Sequence, residues 1–145
     1  MIIVKNRKAY YEYEVLDKYT AGIQLQGSEV KSIRNSKVSV AEAYCYFKGD
    51  ELFVKSMNVA EYQQSGRYDN HNPIRERKLL LKKKELLKLK SGLQEKGLTI
   101  IPLSLFLNER GKIKLEIGLC KGKKLYDKRN SIKEKDQKRD LERNL

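Results

Sequence analysis

Residues 97–119, GLTIIPLSLFLNERGKIKLEIGL, indicate the fold more clearly than any other part of the chain. An uncharged run ends at the turn residues Asn108–Gly111, and beyond that turn Ile113, Leu115 and Ile117 alternate with lysine and glutamate. Alternation with a period of two is typical of a β-strand that buries one face. The stretch therefore predicts a hairpin loop that leads into a strand.

Further short strands are predicted on either side of the same pattern. Alternating apolar residues, or a high content of β-branched and aromatic residues, mark five segments, which are residues 11–16, 23–25, 38–47, 51–57 and 77–81. The Lys48–Asp50 segment forms a turn between two of them. About six strands without alternating long helices favour a mainly β fold, a closed antiparallel barrel.

Two helices are predicted beside these strands. Residues 28–34 are long enough for two turns, with Ser28 as the N-cap and with Val30 and Ile33 on one face. A second helix follows Leu81. Glu85 stands where a capping-box acid would stand if Lys82 were the N-cap, although lysine is a poor cap. The apolar stripe of this helix consists of Leu86, Leu87, Leu89 and Leu93.

The charge of the chain is large and unevenly distributed. The 145 residues contain 32 Lys and Arg against 19 Asp and Glu, which gives a net charge of +13. Residues 75–96 carry a net +6 and residues 121–145 a net +5, so the rest of the chain is almost neutral. Two basic blocks predict contacts with polyanions, namely RNA, DNA or an acidic membrane surface; solvated faces are the plainer alternative.

The second basic block differs from the rest of the chain in composition. Residues 121–145 contain too few large apolar side chains to build a core, although Ser131–Glu134 fits a capping box. We therefore expect one domain over residues 1–120 and a basic tail over residues 121–145. The tail should be disordered alone and partly helical when bound.

The sequence offers no catalytic or metal-binding constellation. His71 is the only histidine, and Cys45 and Cys120 match no zinc-ligand spacing. A Cys45–Cys120 disulfide is one alternative. Buried free thiols are expected instead, because a reducing compartment keeps cysteines reduced. No segment resembles a nucleophile elbow or a phosphate-binding glycine loop. A binding protein without cofactors or metals is predicted rather than an enzyme.

The same sequence argues against membrane insertion. The longest uncharged run, residues 97–108, is too short to span a bilayer and contains Pro102. The apolar residues at the start of the chain are followed at once by Lys5, Arg7 and Lys8, which does not fit a signal peptide. A cytoplasmic protein is expected.

Several short motifs occur in a specific order along the chain. They are Asn6–Ala9, Ala21–Ile23, Gly27–Ser32, Asn70–Pro73, Arg75–Leu81, Gly118–Leu119 and Gly122–Arg129. Each is weak alone, but together they make residues 5 to about 140 closely similar to the small protein B (SmpB) family. Members of this family are the SsrA-binding proteins of bacterial trans-translation.

The resemblance implies a barrel related to the OB fold, with two or three short helices and a basic C-terminal tail. It also implies an adaptor that binds the tRNA-like domain of transfer-messenger RNA and delivers this RNA to stalled ribosomes. The tail would enter the decoding site and the mRNA channel, where it would contact mainly small-subunit ribosomal RNA. Elongation factor Tu would be an indirect partner through the charged RNA.

The resemblance further implies two sets of site residues. The residues expected at transfer-messenger RNA are Gly22, Glu29, Lys31, Arg34, Asn70, His71, Arg75, Arg77, Lys78, Leu80 and Lys82. The residues expected at the decoding site are Lys121, Lys123, Lys124, Tyr126, Asp127, Lys128, Arg129, Ile132 and Lys133. For the basic residues of the first set, phosphate binding is the expected chemistry.

Four of these residues have a plainer interpretation. Glu29 would favour the dipole of its helix as a first-turn acid, and His71 would only order the turn before Pro73. Leu80 would be a buried leucine of the barrel. Tyr126 would either stack on an exposed base or pack against nothing.

The chain departs from the family pattern at two positions on the expected RNA surface. Thr20 stands where a glutamate is usual, and Lys82 stands where histidine or asparagine is usual. Lys82 would replace a directed hydrogen bond with a phosphate contact. An alternative function is a ribosomal-RNA-binding or ribosome-assembly protein, and a more distant one is an RNA-processing enzyme.

Overall fold

In the computed structural model, which describes residues 1–62 and 70–123, antiparallel strands dominate. The elements in chain order are β1 (Ile2–Lys5), α1 (Arg7–Glu12), β2 (Tyr13–Ile23), α2 (Gly27–Arg34), β3 (Val38–Ser39), β4 (Tyr44–Lys48), β5 (Glu51–Lys55), β6 (Asn58–Val59), β7 (Arg77–Leu80), α3 (Lys83–Gly92), β8 (Leu98–Leu107) and β9 (Ile113–Gly122).

Six strands pair in a ring. Their order is β8, β4, β5, β7, β2 and β9, and β9 pairs again with β8, so that the ring has no free edge along these strands. β1 pairs antiparallel with residues 104–106 of β8, and β3 and β6 form a separate two-stranded sheet. The mainly β prediction with about six strands is confirmed.

The hairpin predicted from residues 97–119 is also confirmed. β8 and β9 pair antiparallel over nearly their whole length, and the backbone N–H of Asn108 donates to the carbonyl of Lys112 at 2.9 Å. The Asn108 side chain accepts from the N–H groups of Arg110 and Lys112, and Gly111 has a φ of +74°. Glycine tolerates this left-handed conformation without steric cost.

The core fills the inside of the ring. Alternate residues of β5, β7 and most of β9 are buried, residues 100–105 of β8 are buried without interruption, and α2 and α3 add one buried side chain each at this core. The central members are Ile33, Leu52, Val54, Leu79, Leu89, Ile100, Leu105, Leu115 and Ile117. A second, smaller buried cluster joins Ala9 of α1 to Ile101, Leu103 and Cys120, so α1 covers part of β8 and β9. The outer faces of β4, β5 and β7 carry exposed and half-buried residues.

Several element boundaries differ from the predictions. Residues 11–16 and 23–25 were expected as two strands, but β2 is one continuous strand, and α1 occupies residues 7–12. The α1 helix begins where the Asn6 side chain accepts from the N–H of Ala9. β9 continues through Gly122, two residues into the segment expected as the tail.

The helix ends explain two further differences. Gln26 rather than Ser28 is the N-cap of α2, and Glu29 accepts a hydrogen bond from the Gln26 N–H at 2.7 Å. Lys82 is the N-cap of α3, and its N–H donates to Glu85. Leu89 is fully buried, but Leu87, which was predicted as part of the apolar stripe, is 60% exposed and lies outside it.

The two cysteines are free and buried, which confirms the expectation of reduced thiols over a disulfide. Burial raises the pKa of both thiols, that of Cys120 to about 11. They are therefore protonated near neutral pH. Within residues 1–62 and 70–123, no helix is long and apolar enough to cross a membrane.

Candidate nucleic-acid interface

The predicted RNA-binding residues Gly22 and Leu80 face each other on the outside of the ring. Along β7, Arg77 and Leu79 point inward, whereas Lys78 and Leu80 point outward. Gly22 is the direct partner of Leu80, and a Cβ on Gly22 would lie 3.3 Å from the Leu80 Cβ. Leu80 is 47% exposed, so the alternative of a buried leucine is wrong. Because Gly22 has no side chain, another molecule can approach the backbone there, directly beside the exposed Leu80 side chain.

Lys114 extends this contact and was not expected from the sequence. It pairs with Gly22 across β2 and β9, and its amine would lie 3.6 Å from a Cβ placed on Gly22. Lys82 is exposed two residues beyond Leu80. The alternation of apolar and charged residues in β9 predicts that Lys114 lies on an outer face. Only the pairing register of β2 and β9 shows that it lies beside Gly22.

The α2 helix lies at the same end of the ring as Gly22 and Lys114. Lys31 and Arg34 of α2 are exposed, and the Arg34 guanidinium donates to the carbonyl of Gly111 in the β8–β9 turn at 3.2 Å. The Lys31 amine lies 5.3 Å from the centre of the Tyr62 ring. Arg110 and Lys112 are also exposed in that turn. Together these cations offer several groups to a phosphate backbone.

Glu29 is not part of this exposed surface, because its side chain is fully buried. It forms ion pairs with Arg75, at 2.6 Å, and with the Nε of Arg77. The Arg77 guanidinium is equally buried and also donates to the backbone carbonyls of Met57 and Pro73. The cluster therefore joins α2 to the segment that leads into β7.

The buried carboxyl keeps its charge. Burial alone would raise the pKa of Glu29, but the hydrogen bonds from Arg75 and the Gln26 N–H, together with the Arg77 charge, hold it below the ordinary value. Glu29 is therefore ionised at neutral pH. It is more than a first-turn acid of α2, because it is the shared acceptor of two arginines.

Arg75, Arg77 and Lys78 were all expected to bind phosphate, but the structure gives each of them a partner within the protein. Arg77 was expected to meet phosphate, but in this structure its donors are already used inside the protein. Arg75 is partly buried and also donates to the carbonyl of Gln24. Lys78 remains on the outer face, where it pairs with Glu51 at 3.1 Å.

His71 is also buried and was expected at the RNA surface. Its Nε2 lies 2.8 Å from the carbonyl oxygen of Val59, and its Nδ1 lies 2.8 Å from the Ser28 hydroxyl. Because a carbonyl only accepts, Nε2 is the donor to Val59, and Nδ1 is paired with the Ser28 hydroxyl. His71 thus ties the start of α2 to β6, and its ring is not available for stacking in this conformation.

Asn70 holds the ends of the segment between residues 62 and 70 together. Its side-chain oxygen accepts from the N–H of Tyr62 at 2.8 Å, and its amide donates to the Tyr62 carbonyl at 2.9 Å. The side chain thus pairs with Tyr62 as a neighbouring strand would. This arrangement supports the end of the ring near α2, because the Tyr62 ring contacts Lys31.

Only two of the expected decoding-site residues lie within the described residues. Lys121 is exposed at the end of β9, and the backbone N–H of Lys123 donates to the carbonyl of Glu12. The remaining residues of that set lie outside the described residues, and they are Lys124, Tyr126, Asp127, Lys128, Arg129, Ile132 and Lys133. In the described part of the chain, no group of three or more acidic, histidine or cysteine side chains could hold a metal ion.

Comparisons with known proteins point to one family. The model of a family described as SmpB protein matches residues 3–145. A protein of Cytophaga hutchinsonii named SsrA-binding protein is 58% identical over 140 residues, which are 97% of this chain and 91% of that protein. An SsrA-binding protein of Flavobacterium psychrophilum is 56% identical, with 97% and 93% of the two chains covered.

A solved structure gives the same result. It is described as "tmRNA-SmpB: a journey to the center of the bacterial ribosome", and its similar chain superposes with a TM-score of 0.72 at 42% identity. The superposition covers 89% of the chain described above and 93% of the other.

Proposed function

Because the chain belongs to the SmpB family, we propose that it binds transfer-messenger RNA and brings this RNA to stalled ribosomes for trans-translation. The contact is made on the tRNA-like domain of the RNA. The protein is an adaptor, and its task is to position one RNA against another rather than to make or break bonds.

The observation that carries this proposal is the exposed surface around Gly22 and Leu80. Lys114 lies beside Gly22, and α2 brings Lys31 and Arg34 to the same end of the ring. An open apolar group surrounded by cations suits a folded RNA, since phosphates give affinity while ribose and bases pack against the apolar group. We call the exposed residues Lys31, Arg34, Leu80 and Lys82, together with the half-buried Gly22 and Lys114, the RNA-contact surface.

The buried members of the expected set have a different task in this proposal. Glu29, His71 and Arg77 hold α2 against β6 and β7, and Asn70 fixes Tyr62 beside Lys31. They are positioning residues because they determine where Lys31 and Arg34 stand. A fixed arrangement of cations reduces the entropy that is lost on binding.

The basic tail, residues 121–145, binds ribosomal RNA in this proposal. We place residues 124–145 in the decoding site and mRNA channel of a ribosome that lacks a usable codon, against small-subunit ribosomal RNA. Tyr126 stacks there on an exposed base, and Lys128 and Arg129 meet phosphates. Elongation factor Tu joins indirectly through the charged RNA, and the cytoplasm is where these partners meet.

A gel-shift panel tests the proposal. It compares the tRNA-like fragment of transfer-messenger RNA, an ordinary tRNA and a ribosomal RNA fragment at one fixed salt concentration, because phosphate contacts make affinity salt-dependent. We expect the tightest binding to the transfer-messenger RNA fragment. Equal or tighter binding to the ribosomal RNA fragment would favour the alternative of a ribosome-assembly protein.

A further inference from the structure

Three aromatic side chains form a row on the outer face of β4 and β5. The ring centres of Tyr44 and Tyr46 are 6.4 Å apart, and those of Tyr46 and Phe53 are 6.2 Å apart. Tyr46 and Phe53 are direct partners across the two strands. The neighbouring residues Cys45, Leu52 and Val54 point inward and are buried, so the ring interior already has its own side chains. We call Tyr44, Tyr46 and Phe53 the aromatic row.

The aromatic row does not contribute to the core. None of its three side chains packs against the buried cluster inside the ring, and Tyr44 is 40% exposed. A solvated strand face usually carries polar residues, so adjacent aromatic rings on such a face indicate a contact with another molecule.

Lysines flank the row on both strands and on β7. Lys55 is the partner of Tyr44, the Lys48 amine lies 5.4 Å from the centre of the Phe53 ring, and Lys78 is the partner of Phe53. Glu51 pairs with Lys78, and Glu76 accepts a hydrogen bond from Tyr46 and pairs with Lys48. Lys55 has no ion pair within the described residues, which leaves it available to an anion.

The row is continuous with the RNA-contact surface. Around the ring, β5 is followed by β7 and then β2, so Lys78 and Leu80 lie between Phe53 and Gly22 on the same outer face. An RNA seated on Gly22 and Leu80 therefore reaches the aromatic row without crossing an edge of the sheet. Bases that are not paired stack on such rings, while flanking cations neutralise their phosphates.

We propose that the aromatic row is a second contact for transfer-messenger RNA, in which unpaired bases stack on Tyr44 and Tyr46 and Lys55 binds the adjoining phosphate. This inference rests on the proposed function, because it takes the RNA at Gly22 and Leu80 as its starting point. It assigns a role to a face of the sheet that the basic blocks of the sequence do not include.

The test measures affinity for the tRNA-like fragment of transfer-messenger RNA at several salt concentrations. The double variant Tyr44→Leu/Tyr46→Leu should bind roughly tenfold more weakly or worse, because stacking energies per base are of that size. Its log–log salt slope should equal that of the unchanged protein, since no charge is removed. The variant Tyr44→Phe/Tyr46→Phe keeps the rings and should bind as the unchanged protein does.

Two further variants make the result interpretable. Leu87→Ala removes an exposed apolar side chain of α3 and should leave affinity unchanged. Lys55→Gln changes one exposed residue and should reduce the salt slope by about one. This variant tests the surface even if the leucine variant is too unstable for the binding assay.

Specific outcomes would overturn the inference. Unchanged affinity of a folded leucine variant would show that the aromatic row does not bind this RNA and contacts a protein partner or the tail instead. An equal loss of affinity in the phenylalanine variant would show that the hydroxyl groups, not the rings, make the contact. If Lys55→Gln leaves the slope unchanged, Lys55 does not bind phosphate, which also contradicts the inference. Failure of the proposed function is distinguishable, because the unchanged protein would then show no preference for this RNA.

Discussion

Glu29 and Arg77 form an ion pair in which both side chains are completely buried, although 48 residues separate them in the chain. The pair joins α2 to β7, and Arg75 adds a second cation to the same carboxylate. A buried pair of this kind adds little net stability against a well-packed apolar pair, but its two members depend strongly on each other. Removing Glu29 leaves the buried Arg77 charge without its counter-charge, whereas removing Arg77 leaves Glu29 with Arg75 as its remaining cation.

We therefore expect Arg77→Met to lower the free energy of unfolding by about 3–5 kcal/mol, because buried Glu29 then loses one of its two cations and the carbonyls of Met57 and Pro73 lose their donor. Urea unfolding followed by circular dichroism measures this. Lys78→Met is the matched control on the same strand, and its half-exposed pair with Glu51 should cost at most about 1 kcal/mol. Equal losses in the two variants would contradict the assigned importance of the buried pair.

The lowered pKa of Glu29 predicts a dependence of stability on pH. The carboxyl has a lower pKa in the folded protein than its ordinary value of 4.5, so its contribution is complete above about pH 4.5. The contribution is lost as the pH falls through the folded pKa. Urea unfolding of Glu29→Gln and of the unchanged protein between pH 7 and pH 3 should therefore give a stability difference that shrinks below pH 4.5. A constant difference would show that Glu29 does not titrate as described.

Adjacent leucines of β7 should separate folding from binding. Leu79 is buried in the ring, so Leu79→Ala should destabilise the protein by about 2–5 kcal/mol. Leu80 is 47% exposed on the opposite face, so Leu80→Ala should change stability by less than about 1 kcal/mol while it weakens RNA binding. Urea unfolding and gel shifts on both variants give the answer. An RNA affinity that is unaffected by Leu80→Ala would remove Leu80 from the contact.

The cations of α2 should contribute to the salt dependence of binding. If Lys31 and Arg34 each neutralise one phosphate, the double variant Lys31→Glu/Arg34→Glu should bind more weakly and lose about two from the log–log salt slope. Lys8→Glu is a charge-changing control on α1, where Lys8 pairs with Glu42 on the surface. An unchanged slope in the folded double variant would place α2 outside the interface.

The tail should serve ribosome function without serving the first RNA contact. Changing Tyr126–Arg129 to alanine leaves the RNA-contact surface intact, so affinity for transfer-messenger RNA should stay the same. Tagging of proteins on stalled ribosomes should be abolished, because the segment no longer binds in the decoding site. Both activities must be measured on one preparation. Retained tagging together with lost RNA binding would reverse the roles of the two basic blocks.

Local patterns in the sequence predicted much of the sheet. The hairpin turns at Lys48–Asp50 and Asn108–Gly111 carry glycines with positive φ and lie between alternating strands, and they were located correctly. The α1 helix was missed, because it is only six residues long, its last two residues continue into the alternating segment 11–16, and only the Asn6 side chain marks its start. Ser28 was assigned as an N-cap, whereas its hydroxyl bonds to His71 from 43 residues away.

The site was predicted less completely than the sheet, for a related reason. Basic residues are easily recognised in a sequence, so Lys31, Arg34 and Lys82 could be selected from it, and the structure shows all three exposed. Whether a cation is exposed depends on partners that are distant in the chain, and the carboxylate that buries Arg77 lies on another element. Lys114 was overlooked because its position beside Gly22 follows from strand register alone.

The two hydrogen bonds between the Asn70 side chain and the Tyr62 backbone have a consequence for how this protein can vary between lineages. They hold Tyr62 and Asn70 at a fixed spacing, whatever number of residues lies between them. Insertions or deletions there need not be transmitted to Lys31 or to the strands. Evolution can therefore change the length of this segment while the surface beside it keeps its geometry.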